Sequence, residues 1–356
     1  MNEIRCRHLI KQAIDVFALD LSGLVVLTEA ASGYYSLTPL IAALAGADRV
    51  YSLTRDSRFG TAQDVSDATL AIGQRWGLAN RIEVLTDRGD DRISKADIIT
   101  NLGFVRPLDA ALLQRCKRTA VIPLMWETWE YRREDLDLDE CRRLGICVLG
   151  TNEHHPDLQI FEYIGPLALK LLFEAGIEVF RSTLLVIGSG EFADHVVRAA
   201  GAAGAQCSRL KPESIEQDSV LKIRDAITRL DAVIIVEHND RRVLIGNNGP
   251  IKPDELHSLN PALTVVHICG EVQRNELCVL GLNCWPERFA PAGHMSVATD
   301  YVGPKPIVDL HTAGLKVGEQ LARARLTGLS ASEAEFAVLK ESSLAQGFVG
   351  HHDPLI

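Results

Sequence analysis

Long apolar runs are missing from this sequence: no window reaches about eighteen apolar residues, so no membrane-spanning helix is expected. Positive charge is in deficit, with 37 Lys and Arg against 47 Asp and Glu and a formal charge of −10. Phosphate backbones require a basic face, so nucleic-acid binding is excluded as an expectation. Aromatic residues make up only 6% of the chain. Eight cysteines occur, at 6, 116, 141, 147, 207, 269, 278 and 284, yet no Cys-x-x-Cys pair is among them. That spacing offers no zinc ribbon and no dithiol redox motif. Several sit inside apolar runs, as in Gly145-Ile-Cys147-Val-Leu149, and read as reduced thiols in the core of a cytoplasmic protein. The opening residues, Met1-Asn-Glu-Ile-Arg-Cys-Arg-His8, hold no apolar stretch, so a secretory signal is not expected.

What is present is an alternation of strand and helix signals over 356 residues, enough for two domains with separate cores. Short apolar runs at 24–28, 49–54, 97–100, 120–124 and 145–149 read as strands of one parallel sheet. Thr38-Pro39 opens a helix, since Pro suits the first turn, and Gly46 closes it. Residues 158–173 carry helical periodicity and lead out of this sheet. A second set of strands falls at 182–187, 206–208, 231–237 and 263–268, with helices at 192–203 and 252–259. The long amphipathic helix 307–326 returns to the first domain. The expected architecture is α/β, with two Rossmann-like doubly wound parallel sheets and a cleft between them. The expected domains are 1–157 with 305–356, a flavodoxin- or Rossmann-like substrate domain, and 158–304, a dinucleotide domain.

The strand Ser182-Thr-Leu-Leu-Val-Ile187 runs directly into Gly188-Ser189-Gly190-Glu191-Phe192-Ala193. In that context Gly188 permits the tight turn and Gly190 lets a pyrophosphate approach the backbone. Ala193 allows close helix packing, and the helix N-terminus offers N–H donors. The alternative is a tight turn that binds nothing. An NAD site would place Asp or Glu at the end of the next strand, but Ser208-Arg209-Leu210-Lys211 stands there. A hydroxyl and two cations suit a 2′-phosphate, so NADP is expected ahead of NAD; a solvated loop is the plain reading.

From Asp135 to Leu277 the order of features resembles the D-isomer-specific 2-hydroxyacid dehydrogenases, the formate and glycerate dehydrogenase group. The run Asp135 to Asn152 is similar to that family's helix and strand before the domain crossover. His294, in Ala-Pro-Ala-Gly-His-Met, resembles its catalytic Pro-His segment. The resemblance implies hydride transfer with His294 as acid/base. Glu287 is the one acid between Leu277 and His294 and so the local candidate to orient the histidine, at a seven-residue separation shorter than the family's usual interval. The chain departs from the pattern where the family carries a substrate-binding Arg before Gly: that place falls on Ile268 or Cys269. Lactate, glycerate and similar hydroxy acids are therefore expected to be poor substrates.

Polar residues follow the first-domain strands, where open α/β sheets bind ligands. These are Glu29, Arg55, Arg106, Trp126, Glu127 and Glu153, a set suited to a polar small-molecule substrate. A packed aromatic loop with solvated acids is the alternative for Trp126 and Glu127. Glu153-His154-His155 lacks a third ligand at hand, so no metal is expected. The combined reading is an NAD(P)-dependent oxidoreductase, as a homodimer, acting on a hydroxyl, carbonyl or imine. Its rivals are a non-catalytic dinucleotide-binding protein and, from the loop after Thr28, an S-adenosylmethionine-dependent methyltransferase.

Overall fold

A computed structural model describes residues 1–215 and 224–348. The chain divides into two compact units, one of Met1–Gln159 with the chain from Pro304 onward, the other of Ile160–Gly303.

The first unit holds the strands β1 (Val25–Glu29), β2 (Arg49–Leu53), β3 (Ile82–Leu85), β4 (Ile98–Ile99), β5 (Val121–Pro123) and β6 (Cys147–Thr151). They pair in parallel in the order β3-β2-β1-β4-β5-β6, and a short strand, Ala345–Gln346, lies antiparallel beyond β6. The chain moves outward from β1 to β3 and then returns to the other side of β1 at β4, so the switch point lies between β1 and β4. The helix expected at Thr38-Pro39 spans Thr38–Leu44, with Leu37 as its N-cap and Pro39 in its first turn. Helix Glu3–Phe17 lies outside the sequence expectations. Its buried stripe of Cys6, Leu9, Ile10, Ala13 and Phe17 has helical spacing and lies against the long helix Pro304–Leu326. Strand β3 is likewise unexpected, because Arg81 and Glu83 flank its apolar residues at an edge where only one neighbour covers them.

The second unit builds a sheet from β7 (Thr183–Ile187), β8 (Gln206–Leu210) and β9 (Ala232–Val236), and, after the short β10 (Val243–Ile245), from β11 (Thr264–Cys269). The short β12 (Glu271–Val272) pairs with β10, and β13 (Asn283–Trp285) completes the main sheet. The order is β8-β7-β9-β11-β13, all parallel. Strands β9 and β11 are buried along their whole length, which is why they read as unbroken apolar runs. The switch point here falls at β7, whose C-terminal end carries Gly188. Among the described residues all eight cysteines are free thiols, and no helix is long and apolar enough to cross a membrane.

Candidate functional site

The Gly188 turn owes its shape to a close approach between strands. A Cβ on Gly188 would collide with the carbonyl oxygen of Val236 on β9, so no side chain fits. Gly190 has φ of +66°, a conformation that glycine adopts without strain, and begins helix Gly190–Ala202. Ser189, the N-cap, gives its side chain to a different partner. Its backbone N–H and its hydroxyl both donate to Glu237, at 2.6 Å to Oε2 and 2.9 Å to Oε1. Glu237 is fully buried just beyond β9, and its Oε1 also accepts the N–H groups of Asn239 (2.7 Å) and Asp240 (2.9 Å). One carboxylate therefore ties the turn after β7 to the turn after β9. The first-turn N–H groups of the helix are left with no side-chain cap, which is the donor set an anion takes. Sequence reasoning missed Glu237 because its partner Ser189 lies 48 residues away.

The expected 2′-phosphate set is only partly assembled. Arg209 is a correction: its Nε and one terminal nitrogen donate to the carbonyls of Gly188 and Gly190, each at 3.0 Å, and its other terminal nitrogen pairs with Asp194. The guanidinium is spent on bracing the turn. Ser208 lies inside β8 and donates to the Leu184 carbonyl at 3.4 Å. Lys211 follows the last residue of β8 directly and is exposed. Beyond the ends of β8 and β9, a cavity of roughly 610 Å³ is lined by Glu213, Asn239, Asp240, Arg241 and Arg242.

The expected pair of His294 and Glu287 does not form. Both residues are exposed, and among the described residues neither side chain makes a hydrogen bond. Glu271 holds the histidine's loop instead, accepting the N–H of Ala292 at 2.8 Å. Cys269 ends β11 fully buried, and burial pushes its thiol well up. His267 on the same strand is a structural histidine. It contacts the Gly270 carbonyl through Nε2 and Ser296 Oγ through Nδ1, at 2.8 and 2.6 Å, and stacks on Phe289. Burial lowers it to about 4, so the ring is neutral.

In the first unit, Glu29 ends β1 at the switch point and is buried. It accepts the N–H of Phe104 at 3.0 Å and that of Gly103. Burial raises its carboxyl to about 7 against the opposing pull of these bonds and of Arg106. Arg106 lies over the Trp126 ring at 5.0 Å and pairs with Asp135 at 2.7 Å. Arg55 lies over the Phe104 ring at 5.7 Å. Glu29, Arg55, Arg106 and Trp126 thus share one neighbourhood through Gly103 and Phe104.

Glu127 and Glu153 belong to a different arrangement, and Glu127 is a correction. Its carboxylate is buried and committed: Oε2 accepts Trp129 Nε1 at 2.7 Å, and Oε1 accepts the Glu153 N–H at 3.0 Å and contacts His154 Nδ1 at 3.0 Å. It organises the loops after β5 and β6 from inside. Glu153 and Glu130 share a carboxyl-to-carboxyl hydrogen bond. Burial, then the like charges of Glu130 and Glu127, push Glu153 well up, and burial raises Glu130 to about 7. His155 contacts Ser343 Oγ at 3.1 Å. Among the described residues no group of three or more His, Cys, Asp or Glu is arranged to hold a metal ion.

No protein-family model matches this sequence, and no curated protein matches it. Solved structures do resemble the chain. A dipicolinate synthase structure from Bacillus halodurans is 12% identical, with 85% of this chain and 98% of that one covered and a TM-score of 0.49. The pyruvate reductase of Chlamydomonas reinhardtii is 10% identical, with 86% and 98% covered and a TM-score of 0.47. A 2-hydroxyacid dehydrogenase from Ketogulonicigenium vulgare Y25 is 13% identical, with 87% and 98% covered and a TM-score of 0.45.

Proposed function

We propose that the chain is an NAD(P)-dependent oxidoreductase whose second unit holds the dinucleotide and whose first unit holds a small polar hydroxyl, carbonyl or imine substrate. The observation that carries this reading is the Gly188 turn, a strand-to-helix turn open to no side chain, at the switch point of a parallel sheet. The residues fit the group. Ser189 places no side-chain cap on the first helical turn, Gly190 keeps the approach of a pyrophosphate to that turn clear, and Glu237 holds the turn in shape. When bound, the nicotinamide supplies hydride chemistry.

With Arg209 committed, a preference for NADP over NAD rests on Lys211 and on the missing acid at the end of β8. His294, exposed and unpartnered, is the acid/base group on the substrate oxygen. Cys269 stands in for the expected Arg, so small 2-hydroxy acids are poor substrates. That same replacement favours a second reading, a binding protein that holds the dinucleotide without turnover. Titration of the full chain with NADPH and NADH, followed by nicotinamide fluorescence, tests the proposal. Binding that Gly190→Asp abolishes supports it, and binding unchanged in that variant refutes it.

A further inference from the structure

We propose that Cys278 and Cys284 form a peroxide-reactive thiol pair that closes reversibly to a disulfide within the second unit. Five residues separate the two, so no Cys-x-x-Cys spacing marks them in the sequence. The inference stands apart from the dinucleotide reading and does not depend on it.

The fold supplies the contact that the spacing hides. Helix Arg274–Val279 ends in a tight reversal. The Leu277 carbonyl accepts the N–H groups of Leu280 and Leu282, each at 3.2 Å, and the Cys278 carbonyl accepts that of Gly281 at 3.0 Å. Gly281 takes φ of +85°, which glycine adopts without strain. The chain then enters β13, where Cys284 lies opposite Val265 of β11. Asn283 pins the start of that strand, its Nδ2 donating to the Ala175 carbonyl at 3.2 Å and to Thr264 Oγ1 at 3.1 Å. Cys284 is a core residue of this unit, and Cys278 packs on the same cluster from the helix. The two thiols meet in a hydrogen bond.

The sulfurs differ in access, which assigns their roles. Cys284 is buried, whereas Cys278 is half-buried beside the exposed Val279. Burial pushes the Cys284 thiol up, so it stays protonated and serves as the resolving group. Oxidant reaches Cys278 first. Its sulfur takes one hydroxyl of hydrogen peroxide as the O–O bond breaks, and its proton leaves with the other oxygen as water. The Cys284 sulfur then attacks the sulfenic sulfur of Cys278. The S–O bond breaks, and the Cys284 proton leaves with that hydroxyl as a second water. The two sulfurs together lose two electrons, and the peroxide gains them. Closing the thiol contact to an S–S bond of ~2.05 Å asks for movement only at the end of a short helix. A thiol reductant reverses the step by exchange.

Peptide mass spectrometry on the full chain tests this, after exposure to hydrogen peroxide and alkylation of the remaining thiols with N-ethylmaleimide in denaturant. Cys207, the other half-buried cysteine, gauges general oxidation, and the peroxide dose is raised until it reacts. At lower doses Cys278 and Cys284 should lose alkylation together and appear linked within one molecule, and dithiothreitol should restore both thiols. Cys284→Ala should leave Cys278 as a sulfenic acid that dimedone labels, and Cys278→Ser should leave Cys284 alkylated. The native chain decides the matter if either variant fails to fold. Both thiols still alkylated at the dose that oxidises Cys207 would overturn the proposal. So would either one bridged to a different cysteine, or Cys278 driven to sulfinic acid with Cys284 still free.

Discussion

Replacing Glu237 by Gln removes one oxygen and one charge from a site where both are in use. The native carboxylate takes four donors: the Ser189 N–H on Oε2, and the Ser189 hydroxyl with the Asn239 and Asp240 N–H groups on Oε1. A Gln that keeps its carbonyl toward the last three turns its NH₂ onto the Ser189 N–H, donor against donor. One charge-assisted hydrogen bond is then lost, at about 1.5–3 kcal/mol, with a buried donor left unmatched. The remaining three bonds weaken as the charge goes, so a total of about 2–4 kcal/mol is expected. For a unit of this size, a loss of 1 kcal/mol shifts the midpoint by about 3–4 °C, which makes the expected drop roughly 6–16 °C. Because the carboxylate also shapes the turn, NADPH affinity should fall with it. Differential scanning calorimetry, resolving the transition of the second unit, reads the first effect, and fluorescence titration reads the second. A variant within about 0.5 kcal/mol of the native chain, with NADPH affinity unchanged, would refute the role given to Glu237.

Arg209→Ala should weaken NADPH and NADH together, leaving their Kd ratio unchanged, because the side chain braces the turn rather than reading a 2′-phosphate. Lys211→Ala should weaken NADPH alone, and paired titrations of each variant separate the two cases. Glu127→Ala should lower first-unit stability by about 1–3 kcal/mol in urea unfolding, since it leaves the buried Glu153 N–H without its acceptor and releases the indole N–H of the exposed Trp129. Glu29 and Glu130 have folded values raised from 4.5 to about 7, and Glu153 is raised as well. Their contribution to stability is therefore complete below about 4.5 and lost as pH rises through 7. Urea midpoints should fall over that window, and Glu29→Gln and Glu130→Gln should each flatten the decline.

The parts of this molecule that were legible in the sequence are those fixed by local chemistry. The strand into Gly188-x-Gly190, the Pro-started helices at 38 and 253, and the buried runs at β9 and β11 each declare themselves within a dozen residues. Strand-end placement of Glu29, Arg55, Arg106 and Trp126 was legible too, because parallel strands put their carboxyl ends on one edge. What stayed hidden depended on partners far along the chain. Glu237 acquires its task only when β9 lies beside β7, and Arg209 finds the Gly188 and Gly190 carbonyls only once β8 pairs with β7. Glu127 reads as a pocket acid from its place after β5, but β6 brings the Glu153 N–H and His154 onto it and closes it off. His294 and Glu287 pair only by proximity in sequence, and their loop turns both outward.

The most direct test of the dinucleotide claim is amide hydrogen exchange at Glu191 and Phe192, with and without NADPH. Pyrophosphate seated on the uncapped first turn of the helix should slow both amides markedly at saturating NADPH. Bound NADPH that leaves these two amides exchanging as before, while slowing others elsewhere, would contradict the account.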